Sequence, residues 1–279
     1  MKPNVFLQQR ELKNSQDEIV EYYYKGERLI RLTTTSEDMA VLAWKEHAFQ
    51  EGDYFEVELE NAGNYFIVKM DETLPPTFMY IPSSTWRFPI LFAEEKRLAS
   101  PEYLFMAKNH SVYVRKAYDF EMSQYKNLAY NPHDQEQVSG AYPHASANVE
   151  TRGESVFFAK NTIDGGYASL GHGKYPFQSW GINQQADAAL TIDFGRKVKI
   201  NRCHLVLRAD FPHDSYWTQA TLVFDDGAES LSLVKSSGVQ AFDLTEHVTQ
   251  KVVLKDLIKH EDESPFPALI QLECFGWEG

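Results

Sequence analysis

The chain is 279 residues long, with 43% hydrophobic and 24% charged residues, which suits a soluble globular protein of one or two domains. Lys and Arg total 27 against 40 Asp and Glu, a net charge of −13, and the longest basic cluster is Arg196-Lys197-Val198-Lys199. Binding a phosphate backbone needs clustered cations to release counterions, so nucleic acid and anionic membrane surfaces are excluded as partners. No stretch approaches the run of about 18 apolar residues that a spanning helix needs, so membrane insertion is not expected. The opening residues are polar rather than signal-like, which predicts a cytoplasmic protein as written, and an extracellular one if a leader was removed. Two cysteines, Cys203 and Cys274, cannot form a disulfide scaffold or a four-thiolate zinc site; they read as two buried thiols, with one bridge between them as the alternative.

In chain order, residues 28–33 and 39–43 read as strands, with a helix over 36–45 as the alternative to the second. Residues 54–60 alternate, with Phe55, Val57 and Leu59 on one face and Tyr54, Glu56, Glu58 and Glu60 on the other. A turn at 61–64 and a second apolar run at 65–70 predict a hairpin. Residues 77–81 and 111–117 continue the pattern, and prolines at 75, 76, 82 and 89 interrupt any helical reading. A helix is expected only at 100–106. Residues 121–142 lack periodicity and read as a linker. Beyond it, 189–194, 203–208, 220–224, 252–257 and 268–275 read as strands, with a tight turn at Asp225-Asp226-Gly227. Short strands separated by polar turns predict an all-β protein of two antiparallel β-sandwich (jelly-roll) domains, residues 1–137 and 138–279.

The second half carries an ordered set of motifs. Tyr142-Pro-His-Ala-Ser-Ala-Asn148 precedes Phe158-Ala-Lys-Asn-Thr-Ile-Asp-Gly165, and Trp180 stands in Gln178-Ser-Trp-Gly181. Leu190-Thr-Ile-Asp-Phe-Gly195 and Ala268-Leu-Ile-Gln-Leu-Glu-Cys-Phe-Gly276 complete the set. Residues 138–279 thereby resemble discoidin-like, galactose-binding-domain-like domains, the group of the coagulation factor type C domains and many bacterial carbohydrate-binding modules. The resemblance implies a jelly-roll that binds glycans through loops at one end and leaves catalysis to other domains. It also implies a structural Ca²⁺ held by the side chains of Asp164 and Glu273 and by carbonyls around Asn161 and Gly166, with Ser169 as a further oxygen. The stretch 166–178 is longer than in the pattern and carries Tyr167, His172, Lys174, Tyr175 and Phe177, which predicts a distinct loop.

The segment from Arg208 to Trp217 concentrates charged and aromatic residues directly after a strand, as a carbohydrate ligand would require: flat apolar faces beside a few placed polar groups. Tyr216 or Trp217 is the expected platform, with Arg208, Asp210, His213 and Asp214 bonding hydroxyls. Trp180 and the loop with His172 and Tyr175 are expected to wall the other side. Against this stands a core role for Trp180 and Trp217, since single tryptophans are usually mostly buried. In the first domain, Tyr22-Tyr-Tyr24 and Thr85-Trp-Arg-Phe88 are the notable aromatic clusters.

Catalytic motifs are missing. There is no Gly-x-Ser-x-Gly elbow, phosphate loop or His-Glu-x-x-His, and adjacent His213 and Asp214 point apart in an extended chain. The sequence therefore predicts a non-catalytic carbohydrate-binding protein. A protein-interaction scaffold is the alternative, and a glycan-active enzyme with dispersed carboxylates is the remaining reading.

Overall fold

The computed structural model describes residues 3–9, 20–24, 27–35, 39–46, 48–137 and 140–279. The chain divides into two compact units, and strands dominate both.

The first unit contains β1 (Pro3–Gln9), β2 (Val20–Tyr24), β3 (Glu27–Thr35), β4 (Met39–Trp44), β5 (Tyr54–Leu59), β6 (Asn64–Lys69), β7 (Thr77–Ile81), β8 (Thr85–Pro89), the single-turn α1 (Glu94–Arg97) and β9 (His110–Lys116). They build one sheet in the order β2-β3-β1-β5-β8 and another in the order β4-β9-β6-β7. Phe55, Val57, Trp86 and Phe88 of the first sheet share a buried cluster with Leu42, Phe66, Val68, Met79, Val112 and Val114 of the second. Two antiparallel sheets around one apolar layer make a β-sandwich. The side chains of Tyr22, Tyr23 and Tyr24 lie outside the described residues. Trp86 and Phe88 are core residues.

Two expectations for this unit change, and one alternative is settled. The hairpin expected over 54–70 does not form: β5 pairs with β1 and β8, whereas β6 pairs with β7 and β9. Both strands are apolar on the side that meets the core. The chain crosses between sheets at 60–63, so those faces meet across the core instead of side by side. The helix expected at 100–106 is a series of turns, with Phe105 at φ 59° and its N–H donated to the buried Asp71 carboxylate, Oδ2 at 2.9 Å. A backbone N–H taken by a side chain at positive φ cannot continue a helix. Residues 39–44 are a strand, not the alternative helix.

The second unit contains α2 (Asp119–Ser123), β10 (Lys126–Asn127), β11 (His144–Ala147), β12 (Trp180–Gly181), β13 (Leu190–Leu207), β14 (Trp217–Phe224), β15 (Gly227–Ser232), β16 (Gln240–Lys259) and β17 (Ala268–Glu278). Their order is β10-β17-β13-β16-β14-β15, with β11 added on β13 and β12 on β17. β13 is 18 residues long and β16 is 20. Their pairing shifts register after Asp193 and again after Ile200. Such bulges bend strands, and here they fold the sheet over one core that includes Trp180, Phe194, Leu205, Trp217, Leu222, Leu254 and Leu272. Both units are all-β.

The stretch expected as a linker is largely part of this second unit. Lys126 and Asn127 pair with Gly276 and Phe275, Leu128, Ala129 and Asn131 are buried, and Asn131 Nδ2 donates to the Pro143 carbonyl at 2.7 Å. The second unit accordingly takes in the chain from Asp119 rather than from 138, and Leu98–Pro101 as well. Irregular sequence here reflects side-chain hydrogen bonding in place of periodic packing. Cys203 and Cys274 are free, buried thiols directly opposite each other on β13 and β17, and burial pushes the Cys203 pKa up to about 12. Among the described residues no helix is long and apolar enough to cross a membrane.

Candidate functional site

β13 ends at Leu207 where β17 begins, Leu207 pairing with Leu269, and β12 pairs with the same start of β17. The loops that leave these strand ends therefore meet at one end of the second unit. They enclose a cleft of 360 Å³ lined by Thr151, Arg152, Phe157, His172, Ile182, Asn183, Gln184, Arg208, His213, Phe266 and Pro267, among others. A second cleft of 420 Å³ adjoins it, sharing Ile182, Gln184 and Pro267 and adding Gln185, Lys259, Asp262 and Glu263.

Three residues nominated from sequence, Arg208, His213 and His172, line the first cleft. Asp210 organises them: its Oδ2 lies 2.6 Å from His172 Nδ1 and its Oδ1 3.0 Å from Arg208 Nε. The His172 and His213 rings meet edge to face, 4.8 Å between centroids. The Arg208 guanidinium also donates to the His213 carbonyl, at 3.3 Å from Nε and 3.2 Å from Nη2, and from Nη2 to the Phe266 carbonyl. Burial lowers its pKa against the opposing pull of Asp210. Arg208 thus ties the loops on both sides of the cleft together. With Nδ1 committed to Asp210, His172 keeps Nε2 as its free polar atom. The inserted loop is pinned to the same assembly: Ala209 N–H donates to the Ser169 carbonyl at 2.8 Å.

The remaining nominated residues are placed otherwise. Trp180 and Trp217 have no exposed surface. Their rings lie 6.4 Å apart within the core cluster, Trp217 beneath the second cleft, so neither offers a face for stacking. The core reading of both was correct, because each begins a strand whose inward positions fill the sandwich. Tyr216 stacks on His260, Asp214 pairs with Lys235 at 2.6 Å, and Tyr175 is exposed but does not line the cleft. The flat apolar faces at the cleft are Phe157 and Phe266, which sequence reasoning missed together with Arg152, Asn183 and Gln184. Signals for three of these stood in the sequence: Phe266 lies between Pro265 and Pro267, and Asn183-Gln184-Gln185 is a polar run directly after Gly181-Ile182.

The oxygens nominated for calcium accept hydrogen bonds from the protein itself. Asp164 Oδ1 accepts from Gly166 N–H at 2.7 Å and Gln271 Nε2 at 2.8 Å, and Oδ2 accepts from Gln178 Nε2 at 2.6 Å. The Asn161 carbonyl accepts from Gln271 Nε2 at 2.8 Å. Gly166 has no room for a side chain, since a Cβ there would lie 2.8 Å from Gln178 Nε2. Burial raises the pKa of Asp164 against these donors. Ser169 points away, its Oγ donating to the Ser237 carbonyl at 2.8 Å. Glu273 is apart from Asp164: it accepts from Tyr167 OH at 2.5 Å and Asn127 Nδ2 at 3.3 Å, and faces His204 Nδ1 at 3.0 Å. A calcium ion takes about six to eight oxygen ligands, whereas both nominated carboxylates and the Asn161 carbonyl already accept hydrogen bonds from the protein and two amide N–H donors point at Asp164. The residues present do not fit the ion.

Elsewhere, Asp71, Glu72 and His110 converge in the first unit. Asp71 is occupied by Thr73 N–H, Thr73 Oγ1–H and Phe105 N–H, as expected of a side chain that shapes a turn.

No family model matches the sequence, and no curated protein matches it. The solved structures it resembles include carbohydrate-binding modules. A family 32 carbohydrate-binding module from C. perfringens, in complex with galactose, is 15% identical, with a TM-score of 0.36 over 47% of this chain and 91% of that one. A Streptococcus pneumoniae fucose-binding module is 12% identical, with a TM-score of 0.40 over 55% of this chain and 99% of that one. A chitosan-binding module from a Paenibacillus sp. IK-5 chitosanase/glucanase is 16% identical, with a TM-score of 0.36 over 55% of this chain and all of that one. The strand order and shared core of each unit establish the all-β sandwich architecture independently of these similarities.

Proposed function

We propose that the chain binds a carbohydrate without turning it over, and that the ligand enters the cleft at the loop end of the second unit. The lining of that cleft carries the reading. Phe266, Ile182 and Pro267 supply apolar faces for the C–H patches of a sugar ring. Thr151, Asn183, Gln184, His172 and His213 supply polar groups for adjacent hydroxyls. A small number of fixed polar groups over apolar walls is what a specific site for a neutral, hydroxyl-rich ligand requires. Glycoside hydrolysis uses a pair of carboxyl groups flanking the bond; the first cleft has no Asp or Glu in its described lining, Asp210 beside it is engaged by His172 and Arg208, and Asp262 of the second cleft is engaged by Lys259 and Ser215. That supports binding over catalysis. The adjoining second cleft gives an oligosaccharide room to extend past its terminal unit.

A glycan array probed with the intact chain tests this. Selective binding is expected, stronger for di- and trisaccharides than for the matching monosaccharide. His172→Ala and Gln184→Ala should each weaken it at least tenfold while the melting temperature is retained. An array with no selective signal, or variants that bind as tightly as the parent, would sink the reading and move the weight to protein interaction.

A further inference from the structure

The side-chain nitrogen of Gln271 is the meeting point of three oxygens. Asp164 Oδ1, the Asn161 carbonyl and the Ile270 carbonyl each lie 2.8 Å from Nε2. The amide is pinned in this sense, because its Oε1 accepts Gly165 N–H at 3.1 Å and so cannot trade places with the nitrogen. Gln178 brings a second amide nitrogen to the other oxygen of the same carboxylate. Convergent oxygens around one electropositive centre are the arrangement a hard cation imposes on its ligands.

We infer that the amide nitrogen of Gln271, seconded by that of Gln178, stands in the place of a divalent cation, so that the loop at 161–166 is fastened to β17 without metal. A carboxylate at 271 would add an anionic oxygen to a ring of oxygens and require a cation among them, whereas the amide directs two N–H groups at its three oxygens, one of them shared. Lys160 is buried and in electrostatic contact with Asp164. The inference does not rest on the carbohydrate reading, since it concerns how the loop is held and not what the cleft holds.

Calorimetry and thermal melting of the full chain in EDTA and in millimolar CaCl₂ test it, with Gln271→Glu, Gln178→Glu and Gln271→Leu alongside. The parent should melt at the same temperature in both media, within about 1 °C, and give no calcium-binding heat. Gln271→Glu should be destabilised in EDTA and regain several degrees with calcium, as mass action on a folded-state site requires. Gln178→Glu should show the same sign, giving a second reading should Gln271→Glu fail to fold in either medium. Gln271→Leu should be destabilised and indifferent to calcium. Calcium binding or EDTA sensitivity in the parent would overturn the inference. So would a folded carboxylate variant that ignores calcium.

Discussion

Trp217 fills the core with no exposed surface, although the segment around it is crowded with charges. Trp217→Ala should therefore cost about 3–5 kcal/mol of folding free energy, the range for emptying a large aromatic site, read as a lower urea midpoint. Any accompanying loss of sugar binding should disappear once the fraction folded is taken into account. If Trp217→Ala kept its stability and lost binding, the tryptophan would be a ligand platform after all. The crowding of charges after a strand drew attention to Arg208, Asp210 and His213, and the inserted loop with His172 was expected as the facing wall; the structure brings these four side chains into one network. That crowding could not separate Trp217 from the group. Burial of an aromatic residue depends on which strand face it occupies, and Trp217 is the first residue of β14, where the alternating pattern has only begun. Glu273 and Gln271 show the same limit: both point to one side of β17, and only the three-dimensional path of the loop at 161–166 decides which meets Asp164.

At the scale of elements, β13 and β17 approach so closely that a Cβ on Gly276 would lie 1.7 Å from the Lys199 carbonyl oxygen. This is backbone against backbone, beside the register shift between Ile200 and Arg202, and no side chain can give way. Gly276→Ala should cost about 3 kcal/mol, the upper end for overpacking, in chemical denaturation. Gly238→Ala, whose Cβ would meet nothing nearer than Ser236 Oγ at 3.7 Å, should be near neutral. Equal stability of the two variants would mean the strands can part freely there. Strand positions themselves were legible from alternation: 39–43, 77–81 and 111–117 each coincide closely with an observed strand. Pairing was not. The apolar faces of β5 and β6 are equally consistent with a hairpin and with a crossing between sheets, because both bury the same residues. The distinction lies in long-range partners such as β1 and β9, which local pattern cannot name.

For the molecule as a whole, His133 sets part of the pH dependence of folding. Burial depresses its pKa to about 3 from an ordinary 6.5. The unfolded chain therefore holds a proton that the folded chain lacks throughout that interval, and stability falls as pH drops from 6.5 towards 3. Asp134 and Asp164, raised by burial, act in the opposite sense, so the measurement is a difference. Relative to the parent, His133→Gln should show a shallower acid limb by about 1.4 kcal/mol per pH unit, in urea titrations between pH 6.5 and 4. Parallel acid limbs would show that the imidazole takes up a proton in the folded state.

The fastening of the inserted loop to the chain after β13 has a different kind of consequence. Ala209 and Ser169 join through main-chain atoms, a bond indifferent to the side chains at either position. The sequence between Leu170 and Phe177 can then drift, or be exchanged for that of another protein, while the junction and the strands beneath it persist. Such an arrangement offers an experimenter a ready place for transplanted loops.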